Sequence, residues 1–461
     1  MIPFFFAFVG IFQLLMYFLS LYIRWTRNCL LLRRDDAVWL QDRSSNRHVI
    51  HALMLIQGSP DIEKLRELIE ERLVWAKDDS GKRICSRLTQ VISTHLGIFA
   101  WEEDKNFDIK NHVTSWTGRI PKTNEELEDV LSEIVSSPLP MNGFSPWQFI
   151  VVPTSLDRNI FGFMLRMHHS MADGVALVRV FVMNLYDNPP TAPEPKMFTA
   201  KQRFYMWCKA VIVGPYIVMG KLLASRDSSL VHGQELSGKK VVSWSKDFNL
   251  SLVKQIKNET GTTVNDVMVS CIAGGLCHYL ESNGVKNPDD MWASVPFNIR
   301  GPTKSPKLNN KFALVFMRLP IIAESCLERL FLTKHRMDIV KKSAEPLVNA
   351  TTVKYLMMVP SFISKPLIDF FSCKMSCVLS NVPGPQEFLY IGGQKVVEGI
   401  FWPPQRANIG IGLSIFSYGG CIRVGICSDS SVLPDPCKVV KSIEKRFSAL
   451  VDALNMNETN N

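Results

Sequence analysis

The chain is expected to fold as a two-domain α/β protein with an N-terminal transmembrane helix, and three observations lead there. Its 461 residues exceed what one typical hydrophobic core encloses. Apolar runs of strand length alternate with stretches of helical periodicity along most of the chain. Residues 2–23 are apolar almost throughout, Gln13 and Ser20 excepted, and such a run crosses a hydrocarbon core of about 30 Å as a helix. A composition of 46% hydrophobic and 21% charged residues excludes large-scale disorder.

Taken in order, residues 1–34 are the expected membrane anchor with its basic flank. No positive charge precedes the apolar run, whereas Arg24, Arg27, Arg33 and Arg34 follow it, so the positive-inside rule places the body in the cytoplasm behind a single-pass anchor. In a eukaryote the endoplasmic reticulum membrane is the expected home. A basic n-region and a small-residue cleavage pattern are both missing, which argues against a cleaved signal. Residues 35–186 form a first half. A strand is expected over 47–57 and a helix from Ser59-Pro60 to about Trp75. A further helix follows Thr123, with Glu126 closing a capping box, then come strands over 147–152 and 161–167 and a helix after Asp173.

Residues 187–239 read as the crossover between halves, with Pro189, Pro190, Pro193 and Pro195 followed by the apolar stretch 211–223. Gly214 and Pro215 make that stretch short for a span, leaving an interfacial segment or a buried helix. Residues 240–461 form the second half. Strands are expected at 240–244, 291–298, 312–319, 375–379, 407–416 and 421–427. Helices are expected up to Gly261, from about 264 to 280, from 325 to about 342, around 355–371, and from 436 to about 454.

The +9 net charge, 52 Lys and Arg against 43 Asp and Glu, suits phosphate-bearing ligands or an anionic membrane face. Nucleic acid is not an expected partner, because no basic stripe interleaved with aromatics and no zinc-finger or recognition-helix pattern occurs. The 11 cysteines are odd in number and without a CxxC pair, which reads as free thiols in a reducing compartment.

The candidate site is His168-His169-Ser170-Met171-Ala172-Asp173-Gly174, set where an apolar strand gives way to a helix. A neutral imidazole takes a proton from a hydroxyl near physiological pH, so the run reads as an acyl-transfer site. Adjacent side chains in such a turn diverge; His169 is assigned as the base and His168 a packing or orienting part. Asp173 is placed to cap the helix and bind an arginine, and Gly174 to let the backbone bend. The competing reading is two satisfied core histidines before an ordinary cap. No metal is expected, since the histidines lack ligand spacing with any nearby Cys or Glu.

Further motifs follow in a fixed order. Leu32-Arg33-Arg34-Asp35-Asp36-Ala37 with Trp39 precedes Ser145-Pro146-Trp147-Gln148 and the HHxxxDG run. Asn265-Asp266, Val295-Pro296-Phe297-Asn298-Ile299-Arg300, Asn309-Asn310-Lys311-Phe312 and Ser380-Asn381-Val382-Pro383-Gly384-Pro385 come after it. Together they resemble the wax ester synthase/diacylglycerol acyltransferase family, within the superfamily of chloramphenicol acetyltransferase and peptide-synthetase condensation domains. Two motifs depart from the family pattern: a PLW motif lacks its Leu, and Asn309 replaces a Gly. A DFGWG motif is absent, unlike in the plant HxxxD alcohol acyltransferases.

The resemblance implies two chloramphenicol-acetyltransferase-like domains, each a mixed sheet flanked by helices. It makes Asn265, Asp266, Ser380 and Asn381 candidates to stabilise an oxyanion or position substrate, Asn265 foremost, and Arg300 the ion-pair partner of Asp173. On their own, Asn265 and Asp266 read first as helix caps, and Pro383-Gly384-Pro385 first as a rigid turn. The implied activity moves a fatty acyl group from acyl-CoA to a long-chain alcohol, to diacylglycerol, or to both, with no acyl-enzyme and no cofactor. Membrane lipid is the expected partner. A sterol or small alcohol as acceptor, and a non-catalytic lipid-binding or scaffold protein, are the alternatives.

Overall fold

Nine consecutive buried residues, Ile160–His168, form the central strand of the first sheet, and burial on both faces explains why its sequence does not alternate. The computed structural model describes residues 2–27, 29–156, 158–190, 199–300 and 307–456; Pro193 and Pro195 of the expected crossover lie outside them. The central strand pairs antiparallel with Val49–Gln57 on one side and Trp147–Val152 on the other. Val113–Ser115 extends the sheet beyond Trp147–Val152 in parallel.

The opposite edge differs from the linear division into halves. Gln394–Trp402, with Tyr390–Ile391 outside it, joins the first sheet by pairing antiparallel with Val49–Gln57, so that Trp402 faces His51 in register. A segment 390–402 from the second half therefore completes the first sheet. Its sequence hides the strand because a register shift between Val396 and Glu398 breaks the two-residue period. The hairpin Gln90–His95 and Ile98–Glu103, which also pairs with Leu30–Leu31, likewise has no counterpart among the expected strands.

In the second sheet the order is Phe312–Leu319, Met291–Asn298, Cys377–Pro383, Ile411–Tyr418, Cys421–Asp429 and Lys240–Trp244. Cys377–Pro383 is parallel to both its neighbours and the remaining pairs are antiparallel. The helices Val264–Ser282 and Pro436–Ala453 contribute to one large apolar core with this sheet. The helix Asn124–Ser136 bridges the halves: its Glu128 accepts a 2.8 Å bond from Ser243 Oγ on the edge strand. The stretch around 355–371 is two helices, Glu345–Leu356 and Ser361–Ser372, because Pro360 before the second restricts the backbone between them.

Among the described residues two helices are long and apolar enough to cross a bilayer, Ile2–Arg27 and Ala200–Leu223. The second runs unbroken through Gly214 and Pro215 and begins well before the apolar stretch 211–223. All eleven cysteines are unpaired.

Candidate active site

The two adjacent histidines meet opposite environments. His168 ends the central strand and is fully buried. Its Nδ1 pairs with Ser170 Oγ at 2.8 Å and its Nε2 with Asp42 at 3.1 Å. Asp42 also contacts the His48 ring at 2.8 Å. Burial alone would raise the Asp42 carboxyl, but hydrogen bonds from His168 and His48 hold it well below the usual carboxylate range. His168 is thus committed to structure at both nitrogens.

His169 is committed at one. Its Nδ1 lies 3.0 Å from Asn310 Oδ1. The Asn310 amide donates to Asp36 Oδ1 at 2.9 Å and to the carbonyl of His169 at 2.7 Å, both pure acceptors, so its nitrogen has one possible position. Asn310 Oδ1 must then accept, His169 Nδ1 must carry the proton, and Nε2 keeps its lone pair. Among the described residues nothing bonds to Nε2. The ring is 7% exposed, stacked on Trp39 with centroids 3.8 Å apart and tilted against Phe312. Burial pushes its pKa down to about 4, so the imidazole is neutral at pH 7.

The orienting chain continues outward. Asp36 accepts from Arg87 at 2.6 Å, and Arg87 also donates to the carbonyl of Met171 within the His turn at 2.6 Å. Ser145 and Trp147 bind the carbonyls of Arg87 and Leu88 at 2.9 Å each, which fixes the segment bearing that arginine.

Asp173 is the N-cap of the helix Gly174–Asn184, accepting from the Ala176 N–H at 3.0 Å. Arg300 donates to it at 2.5 Å and the Lys311 N–H at 2.9 Å. Arg300 also holds the carbonyl of Asn309 at 2.6 Å, so the pair ties the His turn to the segment that carries Asn310, just ahead of the strand Phe312–Leu319. Gly174 has no left-handed backbone angle. A Cβ added there would meet Val382 at 3.4 Å, ordinary contact between the two walls of the site, so neither a left-handed angle nor crowding demands glycine.

Those walls enclose a cavity of about 290 Å³ lined by His169, Asp173, Gly174, Ser380, Asn381 and Val382, with an apolar majority that includes Trp39, Phe312 and Val378. Asn381 donates to Asn265 Oδ1 at 2.8 Å. Asn265 is not among the lining residues and reaches the cavity only through Asn381. Asp266 is fully buried elsewhere, where it closes a capping box with Thr263 at the start of Val264–Ser282.

Comparison with known proteins identifies the family. Residues 32–225 match the wax ester synthase/diacylglycerol acyltransferase catalytic domain, and residues 308–451 match the WS/DGAT C-terminal domain. The chain belongs to the wax ester synthase/diacylglycerol acyltransferase family. It is 23% identical over 450 residues to a probable diacylglycerol O-acyltransferase of Mycobacterium tuberculosis, covering 90% of this chain and 94% of that one. The wax ester synthase/diacylglycerol acyltransferase of Marinobacter aquaeolei VT8 shares the fold with a TM-score of 0.65 at 18% identity, over 92% of this chain and all of that one. The first condensation domain of the CDA synthetase gives a TM-score of 0.58 at 14% identity, covering 92% and 96%. The protein is therefore an acyltransferase with the two-domain fold of this family.

Several residues around this acyltransferase's cavity carry no role in the sequence reading. Arg87, Asp42 and His48 fall outside every motif. Asp36, Trp39 and Asn310 appear within motifs, but no spacing rule places a residue 141 positions away against an imidazole.

Proposed function

We propose that this family member transfers a fatty acyl group from acyl-CoA to the hydroxyl of a long-chain alcohol or diacylglycerol, with His169 as general base. The unpartnered Nε2 of His169, fixed as the proton-accepting nitrogen and facing an apolar cavity, carries the reading. Nε2 takes the hydroxyl proton as the alkoxide oxygen adds to the thioester carbonyl. The tetrahedral intermediate collapses by breaking the C–S bond, and the proton passes to the departing CoA thiolate. A thioester is electrophilic enough that alignment, proton transfer and oxyanion stabilisation are the whole task, and no acyl-enzyme is needed.

Asn381, held by Asn265, takes the part of the oxyanion donor, since its amide carries a second N–H beside Ser380 in the cavity wall. Asp173 and Arg300 act by holding the two halves in register around the base. The surplus Lys and Arg meet the CoA phosphates.

Labelled palmitoyl-CoA offered to membranes containing the protein, with hexadecanol and diacylglycerol in competition, tests the proposal. Formation of wax ester or triacylglycerol that disappears in His169→Ala supports it, and the product ratio names the acceptor. A His169→Ala protein that still esterifies overturns the base assignment, and absence of either ester from the unaltered protein returns the scaffold or small-alcohol reading.

A further inference from the structure

The helix Ala200–Leu223 is apolar on the wrong side. Its inner face presents Gly214, Val218 and Lys221 to the body, and Gly214 admits Val348 of the helix Glu345–Leu356 at about ordinary contact distance, 3.5 Å from an added Cβ. Lys221 is held by Glu345, and Lys374 caps the helix by donating to the carbonyls of Lys221, Leu222 and Ala224 at 2.7–2.8 Å. The outer face carries Phe204, Trp207, Ile212, Tyr216 and Leu223, with Ile212 78% and Tyr216 83% exposed. A surface helix of a water-facing protein shows polar residues there, and an apolar face this long marks contact with a partner or a membrane.

The N-terminal helix Ile2–Arg27 repeats the arrangement. Its outer face exposes Ile11, Leu14, Phe18, Tyr22 and Trp25. On the inner face, Gln13 accepts from Arg34 at 2.6 Å and donates to the carbonyl of Met358. Ile23 packs against Cys29 and Ala100. The helix is therefore fastened to the body at its midpoint and at its end. Were it to cross a bilayer, the midpoint contact would carry Arg34 and the turn after Leu356 to the centre of the hydrocarbon, where a guanidinium is strongly disfavoured.

We infer that the two helices lie in the plane of one leaflet and seat the protein on a lipid surface as a monotopic platform, without spanning it. Three observations select lipid as the occupant. The apolar faces are flanked by exposed Arg24, Arg27, Lys201 and Lys354, which match anionic headgroups. Tyrosine and tryptophan, side chains suited to a membrane interface, recur on both faces. The cavity is lined by Val218 and Lys221 of Ala200–Leu223 itself and by Arg33 and Asp35, in the segment that follows Ile2–Arg27. A lipid-dissolved acceptor then enters from the leaflet without crossing water. The usefulness of this placement rests on the proposed acyl transfer, but the placement itself is measured without substrate.

The test uses the full chain. In sealed microsomes a glycosylation acceptor fused ahead of Met1 is expected to stay unmodified, and an epitope there to be digested by protease added outside, because both ends face the cytosol. Floated with phosphatidylcholine vesicles containing phosphatidylserine, the Ile212→Asp/Tyr216→Asp variant is expected to bind at least tenfold more weakly than the unaltered protein, with its thermal transition unchanged. Ile212→Ser/Tyr216→Ser serves if the aspartates disturb folding. A glycosylated, protected N-terminus establishes a span and overturns the inference, as does vesicle binding that ignores both double variants. Esterification of a water-soluble short-chain alcohol in detergent should persist in these variants. Its loss in His169→Ala, or failure to appear at all, reports on the chemistry and leaves the docking result standing.

Discussion

The turn around His169 and the rim formed by the helices Ile2–Arg27 and Ala200–Leu223 are both apolar surroundings, yet they are built on opposite terms. At the turn, among the described residues, every side-chain nitrogen and oxygen from His168 to Asp173 has a partner except His169 Nε2. His168 is bonded at both nitrogens, Asp173 receives Ala176, Arg300 and Lys311, and Asn310 spends both donors to define one proton on His169. At the rim, large side chains such as Tyr216 and Trp25 face outward. The contrast teaches where specificity resides: the turn tolerates no change of partner, while the rim needs only apolar area.

The comparison breaks first at His169. Replacing it with Ala is expected to lower kcat by roughly 10²–10⁴-fold, the usual share of a general base, far beyond what its loss of stability explains, with a folded circular dichroism spectrum. His168→Ala should do the reverse. Removing this fully buried ring leaves Ser170 and half-buried Asp42 each short of a partner, for which about 1–3 kcal/mol of stability is expected, read by denaturant unfolding, and activity falls only as far as folding does.

Next comes Arg300→Met. It strands Asp173 without its charge partner in a buried site, for which about 3–5 kcal/mol is expected. Chemical denaturation measures it, and a loss near zero would mean that the pair does not join the halves.

Asn310→Leu sharpens the contrast further. Without the acceptor at Nδ1 the ring is free to adopt the other tautomer, and a penalty of about 1–3 kcal/mol on the reactive form corresponds to roughly a five- to hundredfold fall in kcat with little change in KM.

The pH profile separates these effects. With its pKa near 4, His169 is neutral in the folded protein down to about that pH, whereas an unfolded imidazole protonates near 6.5. Activity of the unaltered enzyme should be flat from pH 6 to 8, where an unperturbed base would already be losing rate at the acid end. The stability linked to this ring is complete above pH 6.5 and declines as pH falls from 6.5 towards 4, since only the unfolded chain gains the proton there. A kcat/KM midpoint near 6.5 would show that the ring is more open to water than the structure places it.

The smallest effect is expected at the rim. Tyr216→Ser in detergent should shift unfolding free energy by no more than about 0.5 kcal/mol, because the side chain leaves no cavity behind.

Much of this was legible from residue order. The strands 147–152, 240–244, 291–298 and 312–319 coincide with the structure, because each is a compact apolar or alternating run with clear ends. The expected pairing of Asp173 with Arg300 is present. Segment 390–402 escaped because its bulge erases the period, and the chain Arg87–Asp36–Asn310 because contacts across the fold leave no local trace. Asn265 and Asp266 sit side by side in sequence and part ways in space, since a helix start points successive side chains in different directions: one touches Asn381 and the other turns back to Thr263. Gly174 invited an explanation from backbone freedom, whereas it has no left-handed angle and a Cβ there would meet Val382 only at ordinary contact.

The strand Gln394–Trp402 has one last consequence. It leaves the second half, pairs along Val49–Gln57 in the first sheet, and the chain then returns to Ile411–Tyr418 in the second, so parting the two lobes would have to break that pairing or bend the connections to it. Entry without such a hinge is the expectation, and selectivity for chain length would then follow the shape of the cavity rather than a swing of the lobes.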